Sequence, residues 1–340
     1  MARWGAGDQP ESHRRARRGG YRARRLNGPR TASPARIAAA APALFVLLWS
    51  TGFVVARYGT TDAGPLTFLT LRLSISAAVL AVVATGTRAP KPSRVSVRWA
   101  VLAGLGMHAV YLGGVFVAIA HGLPTGLSAL IAGVHPLVTS LGARTVLGER
   151  LRRVPWIGVG TGLAGVVLVV VDHVIGDSSV VPVWPLLAAS MSVLGMSAGT
   201  LIQRKHGSTM PLLWGTVCQY VASALVLGVG AVFVEHVQFH ATARSLFALA
   251  WAAIVLSLAA VLIMLRLLQR QAASKVSSLF FLTPALSTIE GAILFGERLG
   301  PLAIIGLAVA LGGVALVSRP ARRPGSPALE PEETIAVVEA

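Results

Sequence analysis

An α-helix needs about 20 mostly apolar residues to cross the hydrocarbon core of a bilayer. This chain carries ten such runs, over residues 38–56, 65–85, 99–120, 125–147, 154–171, 182–202, 211–233, 246–268, 276–295 and 301–318. Strands of a membrane β-barrel would be about 10 residues long, with apolar and polar positions alternating. These runs are longer and more uniformly apolar. Composition also argues against water as the surrounding medium: 13% of the residues are charged, against roughly 25% in soluble domains. The connections are short and marked by glycine, proline and charge, as at Gly64-Pro65, Gly122-Leu123-Pro124, Gly148-Glu149-Arg150, Asp177-Ser178-Ser179 and Gly300-Pro301. None is long enough for a soluble domain. The sequence therefore predicts an all-α membrane protein of ten transmembrane helices. A long polar stretch precedes the first run and no clear small-residue cleavage site follows it, so that run reads as a span and not as a signal peptide.

Loop charge sets the orientation, because lysine and arginine accumulate on the cytoplasmic side. With the amino terminus inside, the inner segments hold Arg88, Lys91, Arg94 and Arg98, then Arg150, Arg152 and Arg153, then Arg204 and Lys205, then Arg266, Arg270 and Lys275, and last Arg319, Arg322 and Arg323. The outer loops hold Arg57, Arg244 and Arg298. Both termini of this multi-pass cell-membrane protein are expected in the cytoplasm. Residues 1–35, crowded with arginine, and residues 319–340 are expected to be disordered tails. The net charge of +17 raises the question of nucleic acid. The excess lies in tails and short loops without a basic–aromatic patch, so no nucleic acid is expected as a partner. Anionic lipid at the bilayer surface accounts for the charge. The one cysteine, Cys218, excludes an intrachain disulfide and a thiolate metal site.

The chain also repeats itself. Residues 130–151, LIAGVHPLVTSLGARTVLGERL, match residues 278–299, SLFFLTPALSTIEGAILFGERL. A single shift of 148 residues puts Pro136 on Pro284, Glu149 on Glu297, Gly158 on Gly306 and Gly165 on Gly313. The repeat unit is then five helices, with halves at 36–172 and 181–318. Five is odd, so the two halves must lie in opposite orientations, with Glu149 inside and Glu297 outside. Many alternating-access carriers are built on inverted repeats of this kind.

A proline in mid-helix, a Gly-Glu-Arg helix end and a glycine-rich following helix, repeated twice in ten spans, resemble the EamA-type drug/metabolite transporter (DMT) superfamily. The resemblance covers roughly residues 40–318. It implies a carrier site in a central cavity between the two halves. Members export amino acids, nucleosides, drugs or other metabolites, and some act as exchangers. His135 ahead of the proline and Glu290 within the ninth span depart from the family pattern.

An ionisable group inside the hydrocarbon costs about 2.5–3.5 kcal/mol on insertion scales, so it marks a cavity, a partner or a pathway. Arg72 and Glu290 each lie roughly 10 Å below the outer surface, counting 1.5 Å per residue, and are expected to pair. Three readings are open: a static pair, a Glu290 that exchanges a proton or senses a cationic substrate, or an Arg72 that snorkels to the surface. Near the midplane fall Trp49, His108, His135, Ser192, Gln219 and Ser257, with Tyr111 one turn above His108. They are the candidate lining of a substrate cavity. The alternative for each is a hydrogen bond to a neighbouring helix with no ligand involved. Pro136 and Pro284 lie at similar depth, and each frees a backbone carbonyl that must face protein or water. Glu149 and Glu297 are either gate carboxylates or plain helix ends.

Gly158 with Gly162, and Gly306 with Ala310, are spaced to let helices approach closely, as a scaffold pair or as a homodimer face. Residues 195–199 fit GxSxG, but a nucleophile elbow needs a strand, a sharp turn and a helix, and this segment lies in a continuous apolar run. An intramembrane serine protease using Ser197 stands as one alternative, and a non-transporting membrane interaction protein as another. Residues 104–109 imitate a dinucleotide fingerprint without its preceding strand, and the histidines form no metal set. The expectation is a secondary transporter of a small molecule or drug, working by alternating access in the direction of efflux. Coupling is to protons or to exchange, with no catalytic residue, cofactor or metal.

Overall fold

The computed structural model describes residues 34–146, 153–176, 183–260, 263, 282–297 and 300–317. Glu149, the whole expected tail 319–340 and all but the last two residues of the expected tail 1–35 lie outside these residues. The chain divides into two units, residues 1–39 and 40–340. The first contributes the opening turns of one helix, and the second holds everything described below.

The described residues are almost entirely helical. In chain order they form α1 (Pro34–Thr61), α2 (Pro65–Gly86), α3 (Arg94–Gly104), a π-helical segment (Leu105–Val110), α4 (Tyr111–Ala120), α5 (Thr125–Ala132), α6 (His135–Val146) and α7 (Arg153–Gly176). There follow α8 (Val183–His206), a short 3₁₀ turn (Gly207–Thr209), α9 (Leu212–Val234), α10 (Ala243–Ala250), a second π-helical segment (Trp251–Ala260), α11 (Leu282–Phe295) and α12 (Pro301–Val317). Among the described residues, seven continuous stretches are long and apolar enough to cross a membrane: Ala41–Thr61, Pro65–Gly86, Arg94–Ala120, Thr125–Ala143, Val183–Thr209, Leu212–Val234 and Ala243–Ala260. Leu282–Phe295 and Pro301–Gly313 are shorter apolar helices.

Local sequence explains where helices begin. Pro65 and Pro301 occupy first turns, where a missing N–H costs nothing. The Ser93 hydroxyl accepts from Ser96 N–H at the start of α3, and Thr242 with Ser245 forms a capping box on α10. Large apolar side chains such as Leu225, Phe233 and Ile293 face outward, as lipid permits. Small residues take the contacts between helices, because without a hydrophobic force between apolar surfaces, close backbone approach supplies the attraction. The α7–α12 pair shows it. A Cβ on Gly165 would lie 2.5 Å from the Gly306 carbonyl, and one on Gly313 would lie 2.6 Å from the Gly158 carbonyl. The small-residue stripe is thus a scaffold contact within the chain.

Two further features echo the repeat. A shift of 148 residues carries the π segment Leu105–Val110 to 253–258, inside the π segment Trp251–Ala260. The same shift carries Arg88 to His236, and both have a left-handed φ, 52° and 53°.

Candidate functional site

A cavity of about 100 Å³ lies among helices drawn from both halves of the chain. From the first half come Trp49, Gly52 and Phe53 on α1, Arg72 and Leu73 on α2, Met107 and His108 on the π segment, and Tyr111, Leu112, Val115 and Phe116 on α4. From the second come Met196 on α8, Tyr220 on α9, and Leu256 and Ser257 on the second π segment. A π turn widens the helix and shifts the register of its side chains. Both π segments spend that irregularity on this cavity. Beside it lies a smaller space of about 20 Å³ that shares Trp49, Phe53 and Tyr111 and adds His135, Pro136, Thr283 and Pro284. The two repeat-related prolines meet here: a Cβ on Gly133 would lie 2.8 Å from Pro284 Cγ.

The helix carrying His135 breaks at Gly133-Val134, between α5 and α6. Pro136 has no N–H to give the carbonyl four residues back, that of Ala132. His135 Nδ1 lies 3.0 Å from that same carbonyl. A carbonyl only accepts, so Nδ1 carries the proton and the imidazole replaces the bond that the proline removes. Its backbone carbonyl accepts from the Ser197 hydroxyl at 3.1 Å. Ser197 is therefore engaged with a peptide group and not with an imidazole, and GxSxG here is a helix contact: a Cβ on Gly195 would lie 2.9 Å from the Gly106 carbonyl.

Trp49, His108, Tyr111 and Ser257 thus line the larger cavity as their depth suggested, and His135 lines the smaller one. Gln219 stands behind His108: its Oε1 is 3.3 Å from His108 Nε2, and its Nε2 donates to Gln203 Oε1 at 3.1 Å. Ser192 departs from the expected lining. It is fully buried, its hydroxyl donates to the Ala189 carbonyl at 2.6 Å, and its backbone and Cβ pack against Gly114. Depth along a helix does not determine which way a residue faces, and Ser192 faces α4 at a tight crossing.

The expected bond between Arg72 and Glu290 is not formed. Arg72 Nε donates to Ser257 Oγ at 3.2 Å, whereas Glu290 Oε1 accepts from the Ser50 hydroxyl at 2.6 Å. Equal depth was a necessary condition for pairing, but α2 and α11 turn these side chains to different neighbours. Glu290 Oε2 has no hydrogen-bond partner among the described residues.

Three of the other four described carboxylates share a role that the sequence did not suggest, capping the start of another helix, and the fourth, Asp62, ties a loop to a helix. Glu235, just past α9, accepts from Leu66 N–H and Thr67 N–H at 2.8 Å and so caps α2. Glu297, just past α11, accepts from Thr125 N–H at 2.8 Å and Gly126 N–H at 3.2 Å, capping α5, and pairs with Arg57 at 2.7 Å. Asp172 near the end of α7 accepts from Gly300 N–H and Leu302 N–H at 3.0 and 3.1 Å, capping α12. Asp62 joins the α1–α2 loop to α10 through Arg244 and Thr242. Its carboxyl is held down to about 2 by the Arg244 and Thr242 hydrogen bonds. Each cap meets two needs at once, the orphan amides of a helix start and the positive end of its dipole. All four lie at the end of the bundle where α1 finishes and α2 begins. Besides these, sequence reasoning missed the cavity residues Phe53, Met107, Phe116, Met196 and Tyr220. Tyr220 adjoins Gln219, which is the one signal that pointed to it.

Comparison with known proteins bears on this architecture. A likeness to the uncharacterized inner membrane transporter YedA of Escherichia coli K12 extends over 81% of this chain and 89% of that protein at 24% identity. A Bacillus subtilis protein, the uncharacterized transporter YvbV, is 24% identical over 81% of this chain and 90% of its own length. A probable amino-acid metabolite efflux pump of Escherichia coli K12 is 25% identical over 80% and 91%. A crystal structure covering 83% of this chain, and 96% of its own, superposes with a TM-score of 0.56 at 21% identity, a likeness of fold. The EamA-like transporter family matches twice, at residues 37–171 and 183–319. The chain is a multi-pass membrane transporter and belongs to the EamA-like transporter family.

Proposed function

We propose that the protein is a ten-span secondary transporter whose two halves, 36–172 and 181–318, are embedded upside-down relative to one another and export a small solute by alternating access. The cavity carries this reading: a largely apolar and aromatic space with Arg72, His108 and Ser257 on its wall, lined from both family matches, with helix irregularity concentrated around it. The antiparallel meetings of α2 with α9 and of α7 with α12 suit oppositely oriented repeats. The basic inner loops put both termini in the cytoplasm, which makes the carboxylate-capped end the outer one. Glu297, bonded across to Arg57 and α5, is then an outer gate in its closed position, and Glu149 is its inner counterpart by the repeat. The probable efflux pump among the relatives supports reading the direction as export.

Coupling is assigned to Glu290, the one described carboxylate not engaged at the outer end, which carries a proton across or admits exchange. Metabolite profiles of cells lacking the protein, and of cells overexpressing it or its Trp49→Ala variant, test the function. The expected result is a solute depleted from cells by the wild type and not by the variant, and identical profiles would reject it. Glu290→Gln is expected to flatten the dependence of transport on pH. An unchanged pH profile would remove Glu290 from proton coupling.

A further inference from the structure

Arg72 is the cationic side chain among the described residues of this cavity, and no described carboxylate neutralises it. It is 7% exposed. A guanidinium has five N–H donors. One of them reaches Ser257 Oγ at 3.2 Å, and the others find no partner among the described residues. Among the described residues no carboxylate lines the cavity, and Glu290 is turned to Ser50. The remaining walls are apolar or aromatic, with Trp49, Phe53, Tyr111, Phe116 and Tyr220 around the space.

A buried cation without a counter-charge is unfavourable, because it has lost its water and gained no anion. The arrangement persists where the missing partner arrives with the ligand. The planar fork of arginine matches a carboxylate through two parallel hydrogen bonds. Ser257 holds the Nε side of the fork and is itself fixed, its hydroxyl donating to the Ala252 carbonyl at 3.0 Å. The aromatic walls then suit a flat apolar body. An ammonium group would find no carboxylate in this lining, and it would meet the field of Arg72.

We infer that the cavity takes an organic monoanion, with its carboxylate on Arg72 and a flat apolar body among Trp49, Phe53, Tyr111, Phe116 and Tyr220. The inference rests on the reading of this cavity as the substrate site. It separates the solute from free amino acids, whose ammonium group would meet the field of Arg72 with no described carboxylate in the lining to offset it.

The test uses the full-length protein in detergent and four ligands of similar shape and different charge: phenylpropionate, phenylpropionamide, phenylalanine and phenethylamine. Ligand-dependent quenching of tryptophan fluorescence, checked by thermal stabilisation, gives the affinities. The wild type is expected to bind phenylpropionate about tenfold or more tighter than its amide and than phenylalanine, as a charge-assisted bond implies. Phenethylamine is expected to bind weakest. Arg72→Gln is expected to bring the acid down to the level of the amide. Equal binding of acid and amide by the wild type, a match by phenylalanine, or failure of all four ligands would each overturn the inference, with no need of a variant. So would an acid preference that survives Arg72→Gln. Binding of the amide that Trp49→Ala abolishes, without an acid preference, would sink the anion and leave the cavity standing. An acid preference that Trp49→Ala and Arg72→Gln both leave intact would sink the cavity as well.

Discussion

His135 and Pro136 form one device. The proline opens the helix over the smaller cavity, and the imidazole occupies the carbonyl that it frees. Replacing His135 with Phe leaves the Ala132 carbonyl unpaired at a cost of about 1–3 kcal/mol, and Pro136→Ala, by restoring the N–H, is expected to recover much of it. Thermal unfolding in detergent of the two single variants and the double variant checks the coupling, and additive losses would dismiss it. At the rim, Asp62 has a folded pKa of about 2, below its ordinary 3.8. A depressed carboxylate stabilises the fold above its ordinary pKa and loses that contribution as pH falls through the folded value. Asp62→Asn is therefore expected to unfold more readily than the wild type at pH 7, with the gap narrowing below about pH 4. A gap independent of pH would place its cause elsewhere. Much of this scale was legible: apolar runs make every polar residue conspicuous, and counting along them found Trp49, His108, Tyr111, His135 and Ser257. Counting gives depth and not direction, which is why Ser192 was placed on the cavity and Arg72 was paired with Glu290. The carbonyl that His135 satisfies is four residues before the proline, and that relation was available from the sequence.

At the scale of helices, contact depends on the absence of side chains. A Cβ on Gly165 would press on the Gly306 carbonyl at 2.5 Å, while one on Gly160 meets nothing within 4 Å, though both lie on α7. Gly165→Ala is expected to cost about 1–3 kcal/mol through overpacking, and Gly160→Ala to be neutral or mildly stabilising through helix propensity. Melting temperatures of the two variants decide it, and equal effects would show that α7 and α12 do not pack through this stripe. Glu235→Ala is expected to cost about 1–2 kcal/mol by uncapping α2. A loss within error of zero would show that the cap does not hold that helix start. The glycine spacing announced a close helix contact but not its partner, since a scaffold pair and a dimer face need the same residues. The π segments had no sequence signal at all. An extra residue per turn is imposed by packing around the cavity, and hydrophobic periodicity over so short a stretch does not register it.

At the scale of the molecule, the account is two family repeats closing on a shared cavity, with carboxylate caps holding one end. Removing the caps that bridge the halves, by Glu235→Gln and Glu297→Gln together, is expected to make that end more accessible, read as faster labelling of a cysteine introduced at Thr125. Unchanged labelling would show that the caps are not what keeps the end shut. The long apolar runs made the all-helical membrane frame readable in the sequence, and the shift of 148 residues announced the doubled family match. The caps were not readable, because Asp172, Glu235 and Glu297 reach helix starts more than a hundred residues away in sequence. The central claim is that the halves are inverted. Arg88 and His236 share a left-handed φ at equivalent repeat positions, and both are exposed. Single cysteines at these two positions, in a protein whose Cys218 has been changed to Ala, can be labelled with a membrane-impermeant maleimide in intact cells and in inside-out vesicles. The account predicts that position 236 reacts only in intact cells and position 88 only in the vesicles, and reaction of both from the same side would contradict it.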